Sequence, residues 1–329
     1  MHFIKFAALG LCSILSVSST LIRSCTEPNT VALTFDDGPF QYTTELLDYL
    51  KEAGIHATFF INGNNYWPEL STDPEKQAIL KRVAEEGHQI ASHTWNHEIP
   101  EQNGVIDKQS VLESLSLIED LVYKNTGKYP TYFRAPKGEI DEATVMLFEE
   151  FNYKVIQWDT DTNDWNRVVN GVKHKDHNAR IKAAKEFLTN EYYKKKENYL
   201  VLMHDVQPHT VKEIVPYIIN NGIFQGYNFV TVAECLGDPT GGWSTIGGNA
   251  LSILNGGAPP NNNVVQNNYN ADVDTIDYSY SNTDFQENRS ITTNLNNEVM
   301  NLKSDGFMTK TVNFYVIATI ILSALYMLL

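Results

Sequence analysis

Cysteine, basic charge and long apolar runs are all scarce in this 329-residue chain, and each shortage narrows what it can be. There are three cysteines, and Cys12 sits inside an N-terminal apolar segment, leaving Cys25 and Cys235. In an exported protein those two are expected to join in a single disulfide. Lys and Arg number 25 against 40 Asp and Glu, a formal net charge of -15. So acidic a chain argues against nucleic acid as a partner, because a phosphate backbone selects basic surfaces. Sustained apolar runs lie at the two ends, where they read as targeting signals rather than core.

Lys5 precedes the apolar stretch Phe6 to Val17, with small residues at Ser16, Ser18 and Ser19. That is the layout of a secretory signal peptide, assigned to residues 1–19. At the other end, Val312 to Leu329 carries no charge. Ser304-Asp305-Gly306 offers small residues at an attachment position, followed by the short spacer Phe307 to Thr311. The set resembles a glycosylphosphatidylinositol signal with lipidation at Ser304 and removal of 306–329. A tail-anchored transmembrane helix is the rival reading. Residues 241–305 are rich in Asn, Ser, Thr and Gly, with Arg289 and Lys303 the basic residues among them. They read as a disordered stalk, with one glycosylation sequon at Asn288.

From Thr30 to Glu234, short apolar strands alternate with amphipathic helices. The strands expected are Val31–Phe35, Ala57–Ile61, His88–His93, Thr131–Ala135, Lys154–Asp159, Tyr199–His204 and Phe229–Ala233. The helices expected are Glu45–Ala53 with Thr43 and Thr44 as caps, Pro74–Glu86, Asp107–Lys124, Asp141–Phe151, His177–Leu188 and Val211–Asn221. Strands separated by helices imply parallel pairing with right-handed crossovers. The fold class is α/β, a distorted or incomplete (β/α) barrel of about seven parallel strands. Its chemistry should lie at the strand C-terminal ends.

Thr34-Phe35-Asp36-Asp37-Gly38-Pro39 closes the first of these strands. Two adjacent carboxylates disfavour each other's ionisation unless a cation intervenes or the two do different work. His93-Thr94-Trp95-Asn96-His97 supplies two imidazoles four residues apart, so one carboxylate and two histidines could form a three-ligand metal set. Three further segments fall at strand ends: Phe133-Arg134-Ala135-Pro136-Lys137-Gly138, Asp159 to Trp165, and Leu202-Met203-His204-Asp205. Each alone has a bland structural reading. Their order and shared face point to one constellation.

In that order the five segments resemble the polysaccharide deacetylases of the NodB homology domain, carbohydrate esterase family four, and among them the fungal chitin deacetylases. The likeness spans roughly Cys25 to Trp243, with the domain itself set at 25–240. It implies that Asp37, His93 and His97 ligate a divalent metal, zinc or another such as cobalt. It further implies that Asp36 is the general base, held by Arg134, and that His204 is the general acid, oriented by Asp164. Trp165 and Leu202 would line the sugar and acetyl pocket, and the backbone N–H of Lys137 would stabilise the oxyanion. The family often has Tyr where this chain has Lys137. The implied activity is removal of N-acetyl groups from chitin at the cell surface, with chitin or its oligomers as partner and a lipid anchor in the membrane. Peptidoglycan or another acetylated glycan is the alternative substrate, and a catalytically silent carbohydrate binder the alternative class.

Overall fold

The computed structural model describes residues 20–169, 171–173 and 177–260. The expected signal peptide, the stalk beyond 260, Asn288, Ser304 and the apolar tail 306–329 lie outside the described residues. Nine parallel strands form the main sheet. They are β1 (Leu21–Ile22), β2 (Thr30–Asp36), β3 (Thr58–Ile61), β4 (Gln89–Ser92), β5 (Tyr132–Phe133), β6 (Lys154–Ile156), β7 (Thr160–Asp161), β8 (Asn198–His204) and β9 (Asn228–Phe229). Eight run in the order β1-β6-β5-β4-β3-β2-β8-β7. The ninth shares an edge of β2 with β3: β9 pairs with Thr30 and Val31, whereas β3 pairs with Thr34 to Asp36.

The sheet is rolled almost shut. β6 and β7 lie near opposite ends of the strand order, yet only three residues lie between Ile156 and Thr160. That much chain spans at most about 14 Å, so the two edges must face each other across a narrow gap. The distorted (β/α) barrel expected from the alternation is thus present, with nine strands rather than about seven.

Side chains along each strand alternate between two cores, as the pleat requires. Val31, Leu33, Phe35, Phe59, Ile61, Val201 and Met203 point outward into a cluster with helices α1 (Thr43–Ala53) and α2 (Pro74–Glu85). The same cluster takes in Ile118 and Val122 of α3 (Lys108–Thr126). Ala32, Phe60, Ala91, Tyr132, Ile156 and Leu200 point inward and fill the barrel with Val232, Ala233, Cys25 and Cys235. Cys25 and Cys235 are bridged, 210 residues apart in sequence. The interior is therefore packed below and available for polar groups above. On the outside, α4 (Glu142–Glu150) and α5 (Asn178–Tyr193) complete the larger crossovers.

Several expected elements are corrected. Of Phe229–Ala233, only Asn228–Phe229 pairs as strand, and Val232–Cys235 instead forms a short helix, α7. Its cause is a capping box: Thr231 accepts from the Glu234 N–H, and the Glu234 carboxylate accepts from the Thr231 N–H. Thr43 and Thr44 do not cap α1, whose N-cap is Tyr42 with no side-chain bond. Thr43 Oγ1 accepts from Phe40 N–H and donates to Asp205 instead. The helix expected over Val211–Asn221 is π-helical from Thr210 to Ile214 before α6 (Val215–Asn220) begins. Pro216 has no N–H for the Lys212 carbonyl, which favours that local widening.

The boundary set at residue 240 falls inside the folded unit. Trp243–Ser244 pairs antiparallel with Tyr129–Pro130, and Asn249–Leu254 forms α8. The fully buried Glu119 of α3 explains why: its carboxylate accepts from the N–H groups of Ala250 and Leu251 and from the Tyr153 hydroxyl. A chain ending at 240 is therefore expected to be less stable than one ending at 260 by about 1–3 kcal/mol, the cost of stripping partners from a buried polar group. Urea unfolding of the two chains measures it; equal midpoints would show that α8 adds nothing.

Candidate active site and metal centre

The site follows from the strand period. Each inward row, continued two residues toward the strand's C-terminal end, reaches a chemical group: Ala32 to Thr34 to Asp36, Ala91 to His93, Tyr132 to Arg134, and Leu200 to Leu202 to His204. Parallel strands bring all these ends to one mouth. Asp36 and His204 are direct register neighbours on β2 and β8. The loop after β7 adds Asp164.

Asp36 is buried and paired with a fully buried guanidinium: Arg134 Nη1 lies 2.7 Å from its Oδ1. Nη1 also donates to Thr34 Oγ1, and Nη2 donates to the Gln157 carbonyl. One carboxylate oxygen of Asp36 is thereby committed and the other, Oδ2, faces His93 at 3.8 Å.

Asp37, His93 and His97 converge beside it, their ligand atoms all within 4.8 Å of one another. His93 Nδ1 stands 2.9 Å from the Arg134 carbonyl. That oxygen can only accept, so Nδ1 carries the hydrogen and the Nε2 lone pair faces the site. His97 Nε2 and His93 Nε2 approach Asp37 Oδ1 to 3.1 and 3.5 Å. The oxygen is buried, yet it accepts no well-formed hydrogen bond. Burial raises the Asp37 carboxyl, but the two imidazoles outweigh it and hold it well below the usual carboxylate range. An ionised, orphaned oxygen and two inward-aimed imidazole nitrogens fit a divalent cation as a three-ligand set with room for a further ligand. Asp37 and His97 also take φ of 77° and 58°. Left-handed backbone at non-glycine residues costs of order 1–3 kcal/mol each, and here it falls on two of the three ligands.

His204 is gripped by Asp164. Oδ1 lies 2.7 Å from His204 Nδ1, and Oδ2 accepts from the His204 N–H and from Thr210 Oγ1. Burial works against the imidazolium, but the Asp164 carboxylate outweighs it and pushes the His204 pKa up to about 10. Leu202 is buried on the same face of β8. Trp165 and Lys137 stand outside this buried cluster as exposed side chains, Lys137 at φ 59° in the turn Pro136–Gly138.

Sequence reasoning missed the supports. Asn62 Nδ2 donates to the carbonyls of His93 and Thr94, fixing the ligand loop. Asp205, fully buried and raised by that burial to about 7, presses against the turn after Asp37. A Cβ on Gly38 would lie 2.3 Å from Asp205 Oδ2, so the turn needs glycine. Thr210, His209 and Arg180 secure Asp164. None of these residues belongs to a periodic or charged pattern that would single it out, although Asn62 and Asp205 lie in segments that carry the family likeness.

The family model described as polysaccharide deacetylase covers residues 23–156. A chitin deacetylase from Pestalotiopsis sp is 36% identical over 70% of this chain and 71% of its own length. Another, from Colletotrichum lindemuthianum, is 34% identical over 68% of this chain and 86% of its own. The chain belongs to the polysaccharide deacetylase family. The solved structure of the Colletotrichum lindemuthianum enzyme gives a TM-score of 0.61 at 31% identity, covering 70% of this chain and 97% of that one. As a family member the protein is a hydrolase of the deacetylase class, and its partial barrel is the family's fold.

The Asp164–His204 pair has a pH signature. Because the folded pKa of His204 stands above its ordinary 6.5, the pair's contribution to stability is complete below pH 6.5 and lost as pH rises to about 10. In metal-free deacetylase, Asp164→Asn is expected to lower the His204 titration midpoint by about 1–3 pH units. Imidazole NMR reads it directly, and an unmoved midpoint would show that Asp164 does not hold the proton.

Proposed function

We propose that the protein hydrolyses the N-acetyl groups of N-acetylglucosamine residues in chitin, giving chitosan and acetate. The observation that carries this reading is the coexistence, at one barrel mouth, of two separately held acid–base groups beside a three-ligand set. Asp37, His93 and His97 would hold a divalent metal, zinc or cobalt by the family resemblance. Such an ion supplies Lewis acidity, which acidifies water and polarises the acetamide carbonyl.

The chain's own residues do the proton work. Asp36 Oδ2, with Oδ1 tied to Arg134, takes a proton from the attacking water as its oxygen bonds to the carbonyl carbon. The carbonyl oxygen gains negative charge and accepts from the Lys137 backbone N–H. Cleavage of the C–N bond then needs a proton on nitrogen, since an amide anion leaves poorly. His204 donates it from Nε2, while Asp164 keeps the hydrogen on Nδ1 and the ring in place. Water has been split between acetate and the free amine. Trp165 and Leu202 form the wall against which the sugar and its acetyl group rest.

Placement at the cell surface, anchored by lipid at Ser304, rests on the apolar ends of the sequence; the Cys25–Cys235 bridge supports an oxidising compartment. A second reading, peptidoglycan as substrate, draws on a peptidoglycan-N-acetylglucosamine deacetylase from Listeria monocytogenes that is 33% identical over 63% of this chain and 39% of its own length. The acid–base groups and ligands recognise the acetamide and are common to both polymers.

Acetate release from N-acetylglucosamine oligomers is expected, abolished by chelation and restored by zinc. Asp36→Asn should lower kcat by at least about 100-fold while oligomer binding persists. Release from peptidoglycan fragments alone would move the substrate to the second reading. Binding without any release, from folded metal-loaded protein, would overturn hydrolysis in favour of a silent binder.

A further inference from the structure

Asp164 serves the site with its side chain, but its backbone is held by residues that no part of the reaction uses. His209 and Arg180 are both buried. His209 Nε2 stands 2.8 Å from the Asp164 carbonyl, which can only accept, so Nε2 carries the hydrogen. Arg180 Nη1 donates to that same carbonyl at 3.2 Å and to the carbonyl of Trp165 at 3.4 Å. His177 Nδ1 lies 2.9 Å from His209 Nδ1 and 2.6 Å from Arg180 Nη2, linking the two donors to each other. Thr210, next to His209, donates to Asp164 Oδ2.

These contacts come from different elements. Arg180 belongs to the first turn of α5, and His209 and Thr210 sit at the entry to the π-helical segment after β8. The segment carrying Asp164 and Trp165 is otherwise a loop, pinned at its start by Thr162 Oγ1 to the Leu202 carbonyl. A buried arginine and a buried histidine aimed at two successive carbonyls are more than that loop needs to remain folded. They fix Asp164, which holds His204, and Trp165, which the proposed function sets against the sugar.

We propose that His209 and Arg180 are positioning residues: they clamp the Asp164–Trp165 backbone so that the His204 proton donor and the sugar wall are aligned together. The role rests on the deacetylase reading for its effect on turnover, but its effect on His204 does not. A loop fixed at the carbonyls transmits any slackening to both sides of the substrate at once. Loss of His209 should therefore lower kcat through Asp164, and loss of Arg180 should also raise KM through Trp165. Asp37, His93 and His97 lie in the segments that follow β2 and β4, away from this loop, so metal affinity should not change.

The experiment uses the full chain with His209→Ala, His209→Gln and Arg180→Ala, read in three ways. Imidazole NMR of the metal-free protein follows His204; zinc titration measures affinity; acetate release gives kcat and KM. His209→Ala is expected to lower the His204 midpoint and cut kcat by about 10- to 100-fold, the scale for one misaligned general acid. His209→Gln, whose amide nitrogen reproduces the Nε2 donor, should restore both to within a few-fold. Arg180→Ala should raise KM several-fold. Zinc affinity should be unaltered in all three. An unchanged His204 midpoint in a folded His209→Ala protein would overturn the clamp, whether or not the wild type releases acetate. So would a fall in activity that the glutamine variant does not rescue, the result of a merely structural role. If the alanine variant fails to fold, the glutamine variant decides: a lowered His204 midpoint there also overturns the proposal. An inactive wild type with a lowered His204 midpoint in His209→Ala would support the clamp while removing the deacetylase reading.

Discussion

A guanidinium with no contact with solvent lies directly beneath the mouth of the barrel, and the remainder of the site is arranged around it. Arg134 follows β5, yet it reaches Thr34 and Asp36 on β2, the carbonyl of Gln157 past β6, and the face of Phe60 on β3 at 3.9 Å. Its own carbonyl receives His93 Nδ1 from the end of β4. One side chain thus ties together strands that pair in sequence around half the barrel. Burying an arginine is costly, and burial lowers its pKa, but guanidinium stays charged over any accessible pH. With Asp36 beside it, the charge is matched; with either partner alone, an uncompensated buried charge would remain.

That constraint separates the two ends of the molecule. Below Arg134 the barrel is filled by Ala32, Phe60, Ala91, Tyr132 and Leu200 and closed by α7 with its disulfide. Above that floor the inward rows end on polar groups, Asp36, His93, Arg134 and His204, with apolar Leu202 one step below His204. On β4 and β5 the transition takes one strand step of two residues. Between this packed floor and the mouth the polar groups are largely buried, and their mutual contacts weigh heavily on their charge. The Asp164 carboxylate leads the upward push on His204, with Asp37 and Asp36 adding to it.

Much of this was legible because the chemistry sits where strand periodicity puts it. Asp36, Asp37, His93, Arg134 and His204 each stand at or just past the end of a buried strand, and His97 follows His93 by four residues, so both the barrel and the mouth could be read from spacing. Asp164 was reachable through the family likeness, and the structure brings it to His204 as that likeness implied. The supports were not legible. Thr210, His209 and Arg180 act through backbone carbonyls or single oxygens, and a sequence shows no partner for a carbonyl. Local signals also lost to tertiary ones. Asn249–Leu254 looked like the start of a polar stalk because its partners are distant in sequence: Glu119, which takes the N–H groups of Ala250 and Leu251, is 130 residues upstream of Asn249 and reads as an ordinary helix acid. The strand expected over Phe229–Ala233 overruns the short helix Val232–Cys235 because its apolar run masks the Thr231–Glu234 capping box.

The one departure from the family pattern falls where the backbone, not the side chain, sets the geometry. Lys137 lies between Pro136 and Gly138 with φ 59°, and Gly138 also has positive φ. Proline fixes the entry and glycine permits the exit, so the turn is made by its neighbours and the residue between them only has to tolerate the left-handed region. Its N–H direction is therefore common to lysine and tyrosine. The side chain differs in where it can go: Lys137 is exposed, and a flexible ammonium there places a positive charge outside the buried cluster. The chemistry can be conserved while the rim changes, and substrate preference is the property that such a change would alter.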